Sequence, residues 1–397
     1  MKRTAVWLIS GGPMQQVAAA RVRRRGLALV LSDGSETAIC RDMADKFLHL
    51  DTFDVDGHIA AATAVQAEFD IVAVVTTGAD CHYTVNLLAE HLGLTHLPPS
   101  ISESCRNKAL TREILTAAGL DQPRFFKAHS FRAAFDFLSR VSSDYVVKAT
   151  DNSGSRGFSV VPAGSSISAD QYELALAMGT TGCVLLEERL SPHEAQVSEA
   201  SVETLWQDGK MYWINWVDRI FPRDLKFFPQ LQLKSVPAES VEIGHVNPSR
   251  RTRPEKDWVR RDVERAGIAL GMQTAIGAHV LKADIFFSDR GPIILELTPR
   301  TSGGWDSSGS SLGRGAELAD GVIHAAMGNR INLESWHRYF EFQYPEFTAV
   351  VVSKIPEGAR DCIGRQFALA FGPEPLEVVF SRALEKLERD DFYVPVL

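Results

Sequence analysis

Cysteine is scarce in this chain. There are five in 397 residues (Cys40, Cys81, Cys105, Cys183 and Cys362), none in a CxxC pair and none clustered with histidine. That spacing excludes a disulfide framework and a structural zinc site, and it fits reduced thiols in a cytoplasmic protein. Long apolar runs are missing too: none approaches the ~18 residues of a membrane-spanning helix. The opening MKRTAVWLISGG runs into a Gly-Gly-Pro turn instead of a small-residue cleavage site, so it reads as strand and turn, not as a secretory leader. Positive charge is in deficit, with 42 Lys and Arg against 50 Asp and Glu and a net charge of -8. Nucleic-acid binders normally show the opposite, a basic footprint. The expectation is a cytoplasmic enzyme of two or three domains, at about 100–200 residues per domain.

Two phosphate-binding signatures are also absent. The first strand ends in SGGPMQQ, which is not GxGxxG, and GxxxxGK[ST] occurs nowhere. Even so, the first hundred residues alternate strands (Ala5–Ser10, Leu27–Leu31, Lys46–Leu50, Asp70–Thr76) with helical stretches. Such alternation predicts a parallel, doubly wound sheet. Without the fingerprint glycines, this module is expected to shape a substrate cleft and not to bind a dinucleotide. A helix is predicted from Asn107 to Gly119, and an amphipathic one ending at Gly271. Asp289-Arg290-Gly291 reads as a hairpin turn. Beyond residue 330, short strands at Thr348–Ser353 and Leu376–Phe380 suggest a β-rich cap.

Three clusters carry chemistry. In DYVVKATDNSGSRGFSVV (144–161), a strand ends in Lys148 and is followed by a loop holding Ser153, Gly154, Ser155 and Gly157. Backbone N–H groups of such a loop suit phosphate oxygens, with the strand lysine as a fixed charge beside them. A plain flexible hairpin is the competing reading. CVLLEERL (183–190) leads an apolar strand to Glu187, Glu188 and Leu190. Where such a strand ends at a hinge, its main chain suits a purine edge; otherwise it is a buried strand followed by solvated charges. In KADIFFSDRGPIILELTPRTSGG (282–304), Asp284 and Glu296 lie on two apolar strands joined by a tight turn, and Arg300 follows four residues later. Inward carboxylates on neighbouring strands repel unless a cation sits between them, and hard oxygens suit magnesium. A surface hairpin with outward charges explains the apolar flanks less well.

Taken in order, these pieces resemble the ATP-grasp superfamily over about residues 1–330: a Rossmann-like N-terminal module, the NKALTREILTAAG helix, VVKATDNSGSRG, LLEERL, SEASVETLWQDG, VEIGHVNPS and LELTPRTSGG. Within it the chain is most similar to carboxylate–amine ligases of the amino-acid ligase type. The resemblance implies an α/β fold with a Rossmann-like domain (1–106), a small ATP-grasp subdomain or lid (107–190), a large antiparallel-sheet subdomain (191–330) and a β-rich C-terminal cap (331–397). It implies ATP as substrate, with two Mg²⁺ ions or Mn²⁺ in their place. Lys108 and Lys148 would contact phosphates, and Ser153–Gly157 would close over them. Glu187, Glu188 and Leu190 would form the adenine hinge. Glu199, or Glu194 in its stead, would bind the ribose. Asp284 and Glu296 would hold the metals, and Arg300 would orient the carboxylate and stabilise an acyl phosphate. Arg219, Arg223 and Trp305 would line the acceptor pocket.

The chain departs from the family pattern at Thr298, where many members carry an asparagine metal ligand, and at Asp284, where glutamate is commoner. The activity implied is ATP-dependent amide formation from a small carboxylate and an amine through an acyl phosphate, with ADP and phosphate released. Rival expectations are activation of bicarbonate or formate, and a nucleotide-binding protein without catalysis. Members are often homodimers; neither nucleic acid nor membrane is an expected partner.

Overall fold

The computed structural model describes residues 2–152, 157–232, 237–303, 318–333, 348–356 and 366–393. Its N-terminal strands are β1 (Arg3–Ile9), β2 (Ala28–Asp33), β3 (Lys46–His49) and β4 (Phe69–Val75). They form a parallel sheet in the order β3-β2-β1-β4. The near-continuous apolar run of β1 follows from burial on both faces. Ala5, Trp7 and Ile9 pack with Ala62 and Val65 of α2 (Val55–Glu68) and Leu88 of α3 (His82–His91). Val6 and Leu8 meet Ala18, Ala19 and Val22 of α1 (Gln16–Arg24) on the other side.

Two helices, α4 (Pro99–Arg106) and α5 (Lys108–Ala117), lead to the second sheet. It contains β5 (Phe125–Ala128), β6 (Tyr145–Ala149), β7 (Ser159–Val161) and β8 (Val184–Glu188), antiparallel in the order β5-β8-β6-β7. Helices α6 (Phe131–Leu138) and α7 (Ala169–Ala177) share its apolar core.

The third sheet has seven antiparallel strands: β9 (Glu199–Gln207), β10 (Lys210–Ile220), β11 (Gly244–Asn247), β12 (Ala278–Ser288), β13 (Gly291–Thr298), β14 (Thr348–Lys354) and β15 (Gln366–Gly372). Their order is β13-β12-β9-β10-β11-β14-β15. Helix α8 (Arg253–Leu270) lays Val259, Val263, Ala266 and Leu270 on the core formed with Trp206, Trp213 and Trp216. Gly267 permits that approach, since a Cβ there would stand 2.1 Å from the Trp206 ring.

One tail element differs from expectation. Leu376–Phe380 opens a helix, Leu376–Glu388, instead of forming a strand. Leu376, Val379, Phe380, Ala383, Leu384 and Leu387 face the core of β11 and β14. Their i, i+3, i+4, i+7, i+8 spacing is helical and emerges only over a window longer than Leu376–Phe380. The tail strands β14 and β15 extend the large sheet past β11.

Candidate active site

The β12–β13 hairpin sets the centre. Asp284 stands directly opposite Glu296, and Lys282 directly opposite Thr298. Residues two apart on a strand share a face, so all four side chains project to one side. Lys282 Nζ donates to both carboxylate oxygens of Asp284 at 2.6 Å, within a buried pair. Arg219 of β10 adds a guanidinium 3.4 Å from the same carboxylate. Burial would raise the Asp284 pKa, but Lys282 and Arg219 outweigh it and hold the group below its ordinary value.

Glu296 is reached from α5. Asn107 caps that helix through its side chain, accepting from the Ala109 and Leu110 N–H groups, which fixes Lys108 in the first turn. Lys108 Nζ lies 2.8 Å from Glu296 Oε1 and donates to the Asn152 carbonyl at 2.7 Å. Against the cost of burial, Lys108 lowers the Glu296 pKa, and Glu296 raises that of Lys108. Lys108 thus joins the helix, the loop after β6 and the hairpin.

In the second sheet, Glu187 of β8 is almost wholly buried. Arg112 Nε donates to one of its oxygens at 2.8 Å, and Lys148 Nζ sits 2.6 Å from the other. Burial alone would raise its pKa; the two cations bring it down to about 2. Arg112, itself fully buried, continues to the carbonyls of Ile294 (3.0 Å) and Leu295 (2.7 Å) on β13. Glu188 pairs with Arg124 and Arg290 at the rim, and Leu190 is half-buried beyond it. Gly157 has φ +72°. Ser153, Gly154 and Ser155 lie outside the described residues, as does Trp305.

Arg300, just past β13, is held by Asp80, its Nε 3.0 Å from Oδ1 and its Nη2 on the same oxygen. The β4 loop that carries Asp80 is pinned by Gln15, whose side chain accepts from Thr77 N–H at 2.9 Å and donates to Thr76 Oγ1 at 3.2 Å. SGGPMQQ therefore organises the loop that meets Arg300. In that loop Gly78 has φ +101°, and a Cβ there would come within 3.3 Å of Gly303. Glu199 is paired with Arg223 and, at 3.5 Å, Arg219, whereas Glu194 is exposed in the preceding turn.

Three participants were not singled out in the sequence: Arg112, Lys282 and Asp80. Arg112 is four residues beyond Lys108 on the same helical face. Lys282 forms K-x-D with Asp284, a same-face spacing on a strand. Only Asp80 gives no local signal, since it meets Arg300 across 220 positions.

No protein-family model matches the chain. The uncharacterized protein y4rH of Sinorhizobium fredii is 29% identical over 108 residues, which is 27% of this chain and 23% of that relative's length. Solved structures match more broadly. An L-amino acid ligase from Bacillus licheniformis aligns with a TM-score of 0.70 at 17% identity, covering 100% of both chains. Phosphoribosylglycinamide synthetase from Anaerococcus prevotii aligns at 0.68 and 12% identity, over 99% of this chain and 100% of that one. The biotin carboxylase domain dimer of Hydrogenobacter thermophilus 2-oxoglutarate carboxylase, solved with MgADP, ADP and bicarbonate, aligns at 0.70 and 14% identity, over 100% and 91%. These are ATP-grasp structures, and the chain has their fold.

Proposed function

We propose that this chain is an ATP-dependent carboxylate–amine ligase. A substrate carboxylate attacks the γ-phosphorus of ATP, forming an acyl phosphate and releasing ADP. An amine then attacks the acyl carbon, forming the amide and expelling phosphate. The observation that carries this reading is the in-register pair Asp284 and Glu296, facing Lys108 from α5 and flanked by Arg300. Phosphoryl transfer asks mainly for positioning and for fixed charge where negative charge develops. Lys108 and Lys148 suit phosphate oxygens, and Arg300 suits a carboxylate through its planar fork. Glu187, Glu188 and Leu190 remain the proposed adenine hinge, with the Glu187 side chain committed to Arg112 and Lys148. Glu199 is the better placed ribose ligand, being on the sheet face near Asp284 while Glu194 is out in solvent.

The donor set fits magnesium, which takes one or two carboxylates and leaves other positions to phosphate and water. When bound, the ion would neutralise phosphate charge; Glu296 would hold it, with Asp284 opposite. The test is ADP release from MgATP over a panel of amino acids offered in pairs. If no acid–amine pair exceeds the protein alone, the reading fails. A second reading, bicarbonate activation, draws on the likeness to the carboxylase domain solved with bicarbonate. ADP release that needs bicarbonate and no organic acid would favour it.

A further inference from the structure

We propose that the Lys282 ammonium takes the place of one of the two divalent cations that the ATP-grasp resemblance implies, so that the nucleotide binds with a single metal ion, at Glu296. This rests on the nucleotide reading of the site. Three features of the hairpin face carry it. Both oxygens of Asp284 are already engaged by Lys282 at 2.6 Å, inside the protein and on the strand that bears them both. The lysine is directly opposite Thr298, a hydroxyl at the position where the ATP-grasp resemblance implies a metal-ligating asparagine. Arg219 approaches Asp284 Oδ1 from β10 at 3.4 Å, which adds a second fixed cation to the same carboxylate.

Glu296 is placed differently. Among the described residues its ion-pair partner is Lys108, which comes from another element and is also bonded to the Asn152 carbonyl. That lysine can remain on the carbonyl or turn to phosphate while Glu296 takes a metal. Lys282 has no such distance to cover. A magnesium ion on Asp284 would have to share with the ammonium a carboxylate whose two oxygens are both already taken. The substitution follows electrostatic logic: a buried carboxylate needs a cation, and a lysine two residues away on the same face supplies one permanently.

The test counts metal and does not require turnover. Full-length protein is saturated with the non-hydrolysable β,γ-imido analogue of ATP, and bound Mn²⁺ per bound nucleotide is measured by equilibrium dialysis. Electron paramagnetic resonance then distinguishes an isolated ion from a spin-coupled pair at the about 3.5–4 Å of a two-metal site. One uncoupled ion per nucleotide is expected in the wild type, rising to two coupled ions in Lys282→Met. Two ions in the wild type would overturn the proposal and leave the ligase reading intact. One ion in both proteins would show that Lys282 is not what excludes the second. Absence of nucleotide binding would sink the ligase reading itself, and the proposal with it. Should Lys282→Met fail to fold, the wild-type count still decides.

Discussion

Glu187 in β8 and Glu296 on the hairpin are both carboxylates beside a lysine, yet their surroundings differ in kind. Glu187 is closed in: Arg112 and Lys148 take one oxygen each, and Arg112 also ties α5 to the β13 main chain. A ligand arriving at that carboxylate would have to displace a guanidinium that is fully buried. Glu296 keeps some solvent exposure and, among the described residues, is ion-paired with the ammonium of Lys108, on a flexible stem. The difference separates charge that holds the fold together from charge that can be exchanged. It also makes three carboxylates in similar apolar strands (Glu187, Asp284, Glu296) unequally available to a ligand.

The comparison is broken most directly at the hairpin. Glu296→Gln is expected to reduce nucleotide turnover by about a hundred- to a thousandfold, the range for losing a fixed electrostatic group at a reacting centre. Stability should change little, because Lys108 retains the Asn152 carbonyl. Asp284→Asn should cost less turnover than Glu296→Gln if Asp284 holds Lys282 and not a metal. Undiminished turnover in both amide variants would remove the site. The mirror experiment is Arg112→Met on α5. Breaking a buried ion pair from one side typically costs about 3–5 kcal/mol, and a urea titration should show a loss of that order. A variant as stable as the parent would mean that the Glu187 enclosure is not structural.

Much of this was legible in the chain because it is local. Strand–helix alternation predicted the parallel sheet, and the Gly291 turn predicted the hairpin that brings Asp284 and Glu296 into register. What escaped depends on distance or on window length. Asp80 and Arg300 meet only because Gln15 fixes the β4 loop and Gly78 lets it pack against Gly303. The helix Leu376–Glu388 needed more than one turn of sequence before its period emerged. Lys282 was readable in principle, yet a lysine two residues from a carboxylate is unremarkable until both are seen buried on one face.

Acid sharpens the same contrast. A carboxylate whose pKa is lower folded than unfolded adds stability above its unfolded pKa, and that stability is lost as pH falls through the folded value. For Glu187 the window runs from an ordinary 4.5 down to about 2. Chemical stability should therefore fall as pH drops below about 4.5, and Glu187→Gln should flatten that part of the profile while lowering the plateau above it. An equally steep profile in the variant would place the acid sensitivity elsewhere.

The smallest expected effect concerns Arg300. Asp80 occupies the guanidinium that the proposed substrate carboxylate would need, so the two compete for one fork. Asp80 is partly exposed, which keeps the pair weak: about 1 kcal/mol, or roughly fivefold in binding. Asp80→Asn should lower KM for the carboxylate substrate by about that factor with a smaller change in kcat, because the competitor is removed while the direct Lys108–Glu296 contact stays in place. A rise in KM would instead make Asp80 part of the substrate's own contacts, with the Arg300–Asp80 pair reading both ends of an amino acid at once. Either result separates Arg300, whose partner can be exchanged as that of Glu296 can, from the closed arrangement around Glu187.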